Sequence, residues 1–115
     1  MKKIYHLSTC DTCKRILNEI NPSSDFTLQD IKNEAITPEQ LEEMKALAGS
    51  YETLFSKRAR LYKERDLKNQ ELTPNDYKDL ILEHYTFLKR PVLIIEDQIF
   101  VGNAKKTIEA AKASI

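Results

Sequence analysis

The chain has little glycine, little cysteine and no net charge, and each shortage removes a class of protein. Two glycines in 115 residues, with no low-complexity tract, leave no flexible linker. Eighteen basic residues cancel eighteen acidic ones, so no global charge draws the chain to nucleic acid or to an acidic membrane surface. No apolar run approaches the ~20 residues that cross a bilayer. The start Met1-Lys2-Lys3-Ile4-Tyr5-His6 has no signal-peptide hydrophobic region. These absences point to a cytosolic protein with no membrane segment and no direct nucleic-acid role. With 41% hydrophobic residues, the chain can bury a core of its own without staples, as one globular domain.

Only two cysteines are present, and they stand together in Ser8-Thr9-Cys10-Asp11-Thr12-Cys13. In a reducing compartment a lone Cys-x-x-Cys is more often catalytic, redox-sensing or metal-binding than a permanent bridge. The motif falls where an N-terminal strand hands over to a helix. A thiol at the first turn of a helix sees unpaired N–H groups and the positive end of the macrodipole, both of which favour the thiolate. A second thiol three positions on shares that face and can attack a mixed disulfide formed at the first. Asp11 opposes the thiolate, and Lys14 and Arg15 offset it. As alternatives, two inert buried cysteines do not suit the polar neighbours Ser8, Thr9, Asp11 and Thr12. A zinc site using His6 and His84 has enough ligands by count but no zinc-type spacing.

Around the motif, Lys3 to Leu7 reads as a strand, Asp11 to Ile20 as a helix and residues 25 to 29 as a second strand. Strand, helix and strand in thirty residues form a βαβ unit with parallel strands. Thr37-Pro38-Glu39-Gln40 and Thr73-Pro74-Asn75-Asp76 each supply an N-cap, a proline at the first helical position and a capping-box partner. Between them, Tyr51 to about Lys68 is expected to be helical for much of its length, with Leu54, Phe55, Leu61 and Tyr62 in an apolar stripe that Arg58 interrupts. The basic cluster Lys57, Arg58, Arg60, Lys63 and Arg65, interleaved with Glu64 and Asp66, reads as a solvated helix face. Val92 to Ile95, Glu96-Asp97 and Gln98 to Val101 predict a hairpin. Asn103 is expected to cap a last helix with a core seam of Ala104, Ile108, Ala111 and Ile115. The central helices, residues about 35–86, read as an inserted helical subdomain packed onto the same core.

This order, with a dithiol after the first strand and a proline opening the third, resembles the thioredoxin-like fold. More narrowly, four separated pieces resemble the glutaredoxin-type arsenate reductase (ArsC) and Spx family: Ile4-Tyr5-His6 before Cys10, Leu54-Phe55-Ser56-Lys57-Arg58, Arg90-Pro91, and Phe100-Val101-Gly102-Asn103. The resemblance implies an α/β fold with βαβ, helical insertion and ββα around a four-stranded mixed sheet, and a cis Pro91 opposite the dithiol. It implies that Cys10 is the nucleophile, Cys13 the resolving thiol, and Arg90, with Arg58, the anion or thiolate stabilisers. In arsenate-reducing members the matching cysteine attacks arsenic, and glutathione with glutaredoxin completes the reduction to arsenite. No bound cofactor or metal is then needed. Glutathione enters as co-substrate, glutaredoxin or thioredoxin as reductant, and a small oxyanion or a disulfide as substrate. The chain departs from the arsenate reductases at Val101-Gly102, where they commonly carry a third arginine, and at Cys13, where they carry serine. Both changes lean toward Spx-like members, which are redox-sensing transcription regulators that bind the alpha subunit of RNA polymerase.

Overall fold

The computed structural model describes residues 1–115, in two compact units. The first unit comprises Met1–Ala35 and Arg90–Ile115, and the second is the intervening Ile36–Lys89.

The first unit is a four-stranded sheet in the order β2-β1-β3-β4. Strand β1 (Lys2–His6) leads into helix α1 (Asp11–Ile20), which returns to β2 (Thr27–Asp30). β1 and β2 are parallel, with His6 opposite Asp30. The chain re-enters the sheet at β3 (Val92–Ile95), antiparallel to β1, and turns back as β4 (Gln98–Val101). Glu96, at φ 56°, makes the turn, and its carboxylate receives the N-terminal ammonium of Met1 at 3.0 Å. All four residues of β3 are buried, so both faces of this central strand are shielded from water, which is why Val92-Leu93-Ile94-Ile95 shows no alternation. Each such aliphatic side chain contributes about 1.5–3 kcal/mol by leaving water.

Helix α1 buries Cys13 and Ile16 and ends at Asn21, whose left-handed backbone (φ 48°) lets its N–H reach the Leu17 carbonyl. One core cluster joins Ile4, Phe26, Leu93 and Ile95 to Ala111 of helix α6 (Lys105–Ala113), with Leu17, Ile20 and Phe100 packed against it. The expected seam of α6 is shorter than its sequence pattern: Ile108 and Ala111 are buried, but Ala104 and Ile115 are exposed. Asn103 does not cap the helix. Ala104 occupies the N-cap, with no side-chain bond.

The second unit contains α2 (Pro38–Ala48), α3 (Tyr51–Leu54), α4 (Arg60–Glu64) and α5 (Pro74–Glu83). Both expected capping boxes are formed: Thr37 with Gln40 and Thr73 with Asp76. The expected helix from Tyr51 to Lys68 is instead broken into α3, α4 and a 3-10 turn at Leu67–Asn69. Tertiary pairing overrides the local pattern. Phe55 becomes extended and bridges Leu88, the Ser56 N–H donates to the Phe87 carbonyl at 2.7 Å, and the Lys89 N–H donates to the Leu54 carbonyl at 2.8 Å. The Phe55 ring stacks on Phe87 at 5.3 Å and meets Tyr62 and Tyr77 edge-on, so the aromatic cluster holds it in place of a helical turn.

Candidate active site

The site is built at the carboxyl ends of the parallel pair β1 and β2, where α1 begins. After β1 the chain makes a tight turn, Leu7-Ser8-Thr9-Cys10, closed by the Cys10 N–H on the Leu7 carbonyl at 3.0 Å. Cys10 then becomes the N-cap of α1 with extended backbone (φ −95°, ψ 115°), and its carbonyl accepts the first helical bond, from Lys14 at 3.1 Å. The sequence folds this way because the turn places a small polarizable side chain where a serine or aspartate usually caps. Sulfur does not close the short side-chain cap bond that oxygen would. The unpaired N–H groups of the first turn act on it at longer range.

Cys10 is half-buried and Cys13 is fully buried, and both are reduced. Burial alone would raise the Cys10 thiol. It is outweighed by the N–H of Cys13, the thiol of Cys13, the charge of Arg90 and the N–H of Thr12, which together hold Cys10 below the ordinary thiol range. At Cys13 burial dominates. The Leu7 backbone and Arg90 work against it, but the neighbouring Cys10 sulfur adds to it, and Cys13 is pushed up to about 11. The two thiols of one motif are therefore driven apart: Cys10 ionises first, and Cys13 stays protonated as the donor to it.

Arg90 is half-buried, with its Nε atom enclosed, and its charge acts on both sulfurs. The peptide bond between Arg90 and Pro91 is cis, Pro91 is buried, and its carbonyl receives the N–H of Gly102 at 2.9 Å. Gly102 sits at φ 91°, a conformation that suits glycine. Cys10, Cys13 and Arg90 are thus gathered by three segments: the β1–α1 turn, the first turn of α1 and the entry to β3. Arg58 belongs to the helical unit, exposed on the turn between α3 and α4. No group of three or more His, Cys, Asp or Glu side chains is arranged to hold a metal ion.

One residue escapes the sequence pattern. The Asp30 carboxylate, at the end of β2, accepts the Ser8 N–H at 3.0 Å and the Lys32 N–H at 3.2 Å, and it receives the Asn33 side-chain amide at 2.7 Å. The Ser8 hydroxyl is the largest influence on its acidity and holds the carboxyl below the usual range against a smaller burial effect. The Ser8 and Lys32 N–H groups and His6 lower it further. The only signal for this contact is the β1/β2 register, which the order of residues does not disclose.

A mixed sheet with a dithiol at the start of its first helix and a cis proline opening its third strand defines a thioredoxin-like protein. Within that class, residues 5–111 match the model of the ArsC family, and the chain belongs to that family. Among characterised proteins it is similar to the global transcriptional regulator Spx 2 of Bacillus anthracis, 24% identical over 104 residues, spanning 89% of this chain and 79% of the regulator. Among solved structures, an arsenate reductase from Vibrio cholerae superposes with a TM-score of 0.78 at 17% identity, covering 99% of this chain and 97% of its own. An ArsC-family-related protein from Bacteroides fragilis superposes with a TM-score of 0.76 at 24% identity, covering 95% of both chains. These superpositions establish the shared fold.

Proposed function

We propose that the protein is a thiol-disulfide oxidoreductase of the arsenate-reductase-like type, with Cys10 as nucleophile and Cys13 as resolving thiol. The observation that carries this reading is the placement of the two thiols, Cys10 at the N-cap of α1 and Cys13 buried in its first turn, which together with the charge of Arg90 holds Cys10 low while burial pushes Cys13 up to about 11. A nucleophile must be ionised at rest, and a resolving thiol must not compete with it. The Cys10 thiolate attacks one sulfur of an oxidised substrate, forms a mixed disulfide and expels the other sulfur as thiolate. Cys13 then loses its proton and displaces the remaining substrate thiolate from Cys10. The substrate gains two electrons and the protein ends as the Cys10–Cys13 disulfide, which a cellular thiol such as glutathione, through glutaredoxin or thioredoxin, reduces again. With arsenate, Cys10 binds arsenic with loss of hydroxide, and attack by Cys13 on Cys10 releases arsenite. Arg90 supports oxyanion capture through charge-assisted hydrogen bonds. A cycle completed by cellular thiols suits the reducing cytosol. No helix is long and apolar enough to cross a membrane.

Incubation of reduced protein with arsenate, glutathione and glutaredoxin, followed by mass spectrometry, tests this reading. Arsenite formation, or with disulfide substrates a thiol product, together with a Cys10–Cys13 disulfide is expected. Failure of Cys10 to form any adduct with either substrate class sinks it. The match to Spx 2 supports a second reading, a redox-sensing regulator that binds the alpha subunit of RNA polymerase. Capture of the carboxyl-terminal domain of that polymerase chain, dependent on the Cys10–Cys13 redox state and without turnover, would favour it.

A further inference from the structure

Asp30 has no place in the chemistry above, yet its carboxylate grips the loop that delivers Cys10. The path of contacts is short. Ser8 and Thr9 are the two central residues of the turn closed by the Cys10 N–H on the Leu7 carbonyl. That bond fixes the ends of the turn but leaves the N–H of its first central residue, Ser8, without a partner inside it. Asp30 Oδ1 takes that N–H at 3.0 Å. The same carboxylate is itself held, by the Lys32 N–H and the Asn33 amide, while the Ile31 N–H reaches across to the His6 carbonyl at 2.9 Å. The anchor is therefore rigid on the β2 side and bears on a turn whose last residue is the N-cap of α1. A tilt of that turn would move the Cys10 sulfur relative to the Thr12 and Cys13 N–H groups that favour its ionised form.

We propose that Asp30 is a positioning residue for Cys10: by holding the Ser8 N–H it fixes the turn that presents the Cys10 sulfur to the start of α1. This rests on the reading of Cys10 as the nucleophile. The effect is geometric. The influences on the Cys10 thiol are burial, the Cys13 and Thr12 N–H groups, the Cys13 thiol and Arg90, and those facing Asp30 are Ser8, Lys32 and His6. A side chain that keeps an acceptor oxygen in the same place should therefore serve without the charge, and a residue that stiffens the turn directly should serve without the acceptor. Proline is favoured at the first central position of a turn and has no N–H to satisfy.

The test uses full-length reduced protein, with iodoacetamide alkylation of Cys10 followed by mass spectrometry across pH. Asp30→Ala should lower the alkylation rate at pH 7 about tenfold, matching a rise of roughly one unit in the thiol titration. Asp30→Asn should stay within about threefold of the parent, and adding Ser8→Pro to Asp30→Ala should bring the rate back to within about threefold. An Asp30→Ala protein with parent-like circular dichroism and an unchanged alkylation profile overturns the proposal. So does a slowed Asp30→Ala protein that Ser8→Pro does not rescue while Asp30→Asn is equally slow. Should Asp30→Ala not fold, the Ser8 amide resonance of the unaltered protein decides: it must follow the titration of the Asp30 carboxyl, and indifference overturns the tether. A parent Cys10 that alkylates like an ordinary thiol defeats the nucleophile reading and the positioning role together, whereas a reactive parent with an unaffected Asp30→Ala protein defeats the positioning role alone.

Discussion

The buried thiol of Cys13 favours the ionised form of Cys10, and burial keeps Cys13 protonated, as a donor to that sulfur, well into the alkaline range. The pair is thus asymmetric before any substrate arrives. Burial, which would ordinarily suppress both thiolates, acts mainly on the one whose ionisation is needed last.

Replacing Cys13 separates its two roles. Serine keeps a donor but cannot form a disulfide, while alanine removes both. Cys13→Ser should leave the Cys10 alkylation rate at pH 7 within about twofold, and Cys13→Ala should slow it several-fold, because a hydrogen bond to a charged group is lost. Both should accumulate a mixed disulfide with glutathione at Cys10, visible by mass. Equal alkylation rates in the two variants would show that the Cys13 thiol does not stabilise the Cys10 thiolate.

Arg90 acts on both sulfurs in the same direction, so its removal should weaken the ionisation of both. Arg90→Ala should raise the Cys10 titration and reduce its reactivity at pH 7 by roughly three- to tenfold. Arg90→Lys, which keeps the charge but not the planar fork, should fall between. Thiolate absorbance near 240 nm against pH measures the shift. A titration that does not move would leave Arg90 with no electrostatic role at the dithiol.

Stability at alkaline pH carries the signature of Cys13. Its folded value of about 11 lies above the ordinary 9.0, so the folded state holds that proton more tightly than the unfolded chain does. The resulting stabilisation is complete below pH 9 and is lost as pH rises toward 11, by an amount on the order of 2 kcal/mol. Cys10 has the opposite sign: its lowered value contributes stability above the unfolded thiol range, which is lost as pH falls through the folded value. Urea unfolding of the reduced protein at pH 7.5 and pH 10.5 should show a steeper decline than the same pair of measurements on Cys13→Ser. Parallel declines in the two proteins would place the alkaline sensitivity elsewhere.

What sequence reveals here follows the range of the interaction. The dithiol, both threonine caps and the hairpin are written in consecutive residues, and all are found where the pattern puts them. The break at Phe55 is not, because Phe87, Leu88 and Lys89 take up the neighbouring backbone groups from more than thirty positions away. A stripe of Leu54, Phe55, Leu61 and Tyr62 suits a helix and an aromatic cluster equally well. Asp30 is invisible for the same reason, since its partner Ser8 is brought to it only by the β1/β2 register. At α6 the difference is local: Asn103 is a better cap than Ala104 by residue type, but Ala104 is the residue that carries the extended N-cap backbone (φ −61°, ψ 138°).

The unequal helix starts make capping itself measurable. Thr37 and Thr73 each accept an N–H from their capping-box partner, at 3.1 and 3.2 Å, so alanine at either should cost about 1 kcal/mol. Asn103→Ala should cost almost nothing, because the first N–H groups of α6 receive no side-chain cap from it. Ala104→Asp should stabilise the protein by about 0.5–1 kcal/mol, since Ala104 is exposed and an aspartate there supplies both an acceptor and a negative charge at the positive end of the helix. Thermal unfolding resolves these changes as shifts of a few degrees at most, about 4 °C per kcal/mol for a chain of this size. A loss at Asn103→Ala as large as at Thr73→Ala would mean that Asn103 caps α6 in solution after all, and that the start of the helix lies one residue earlier.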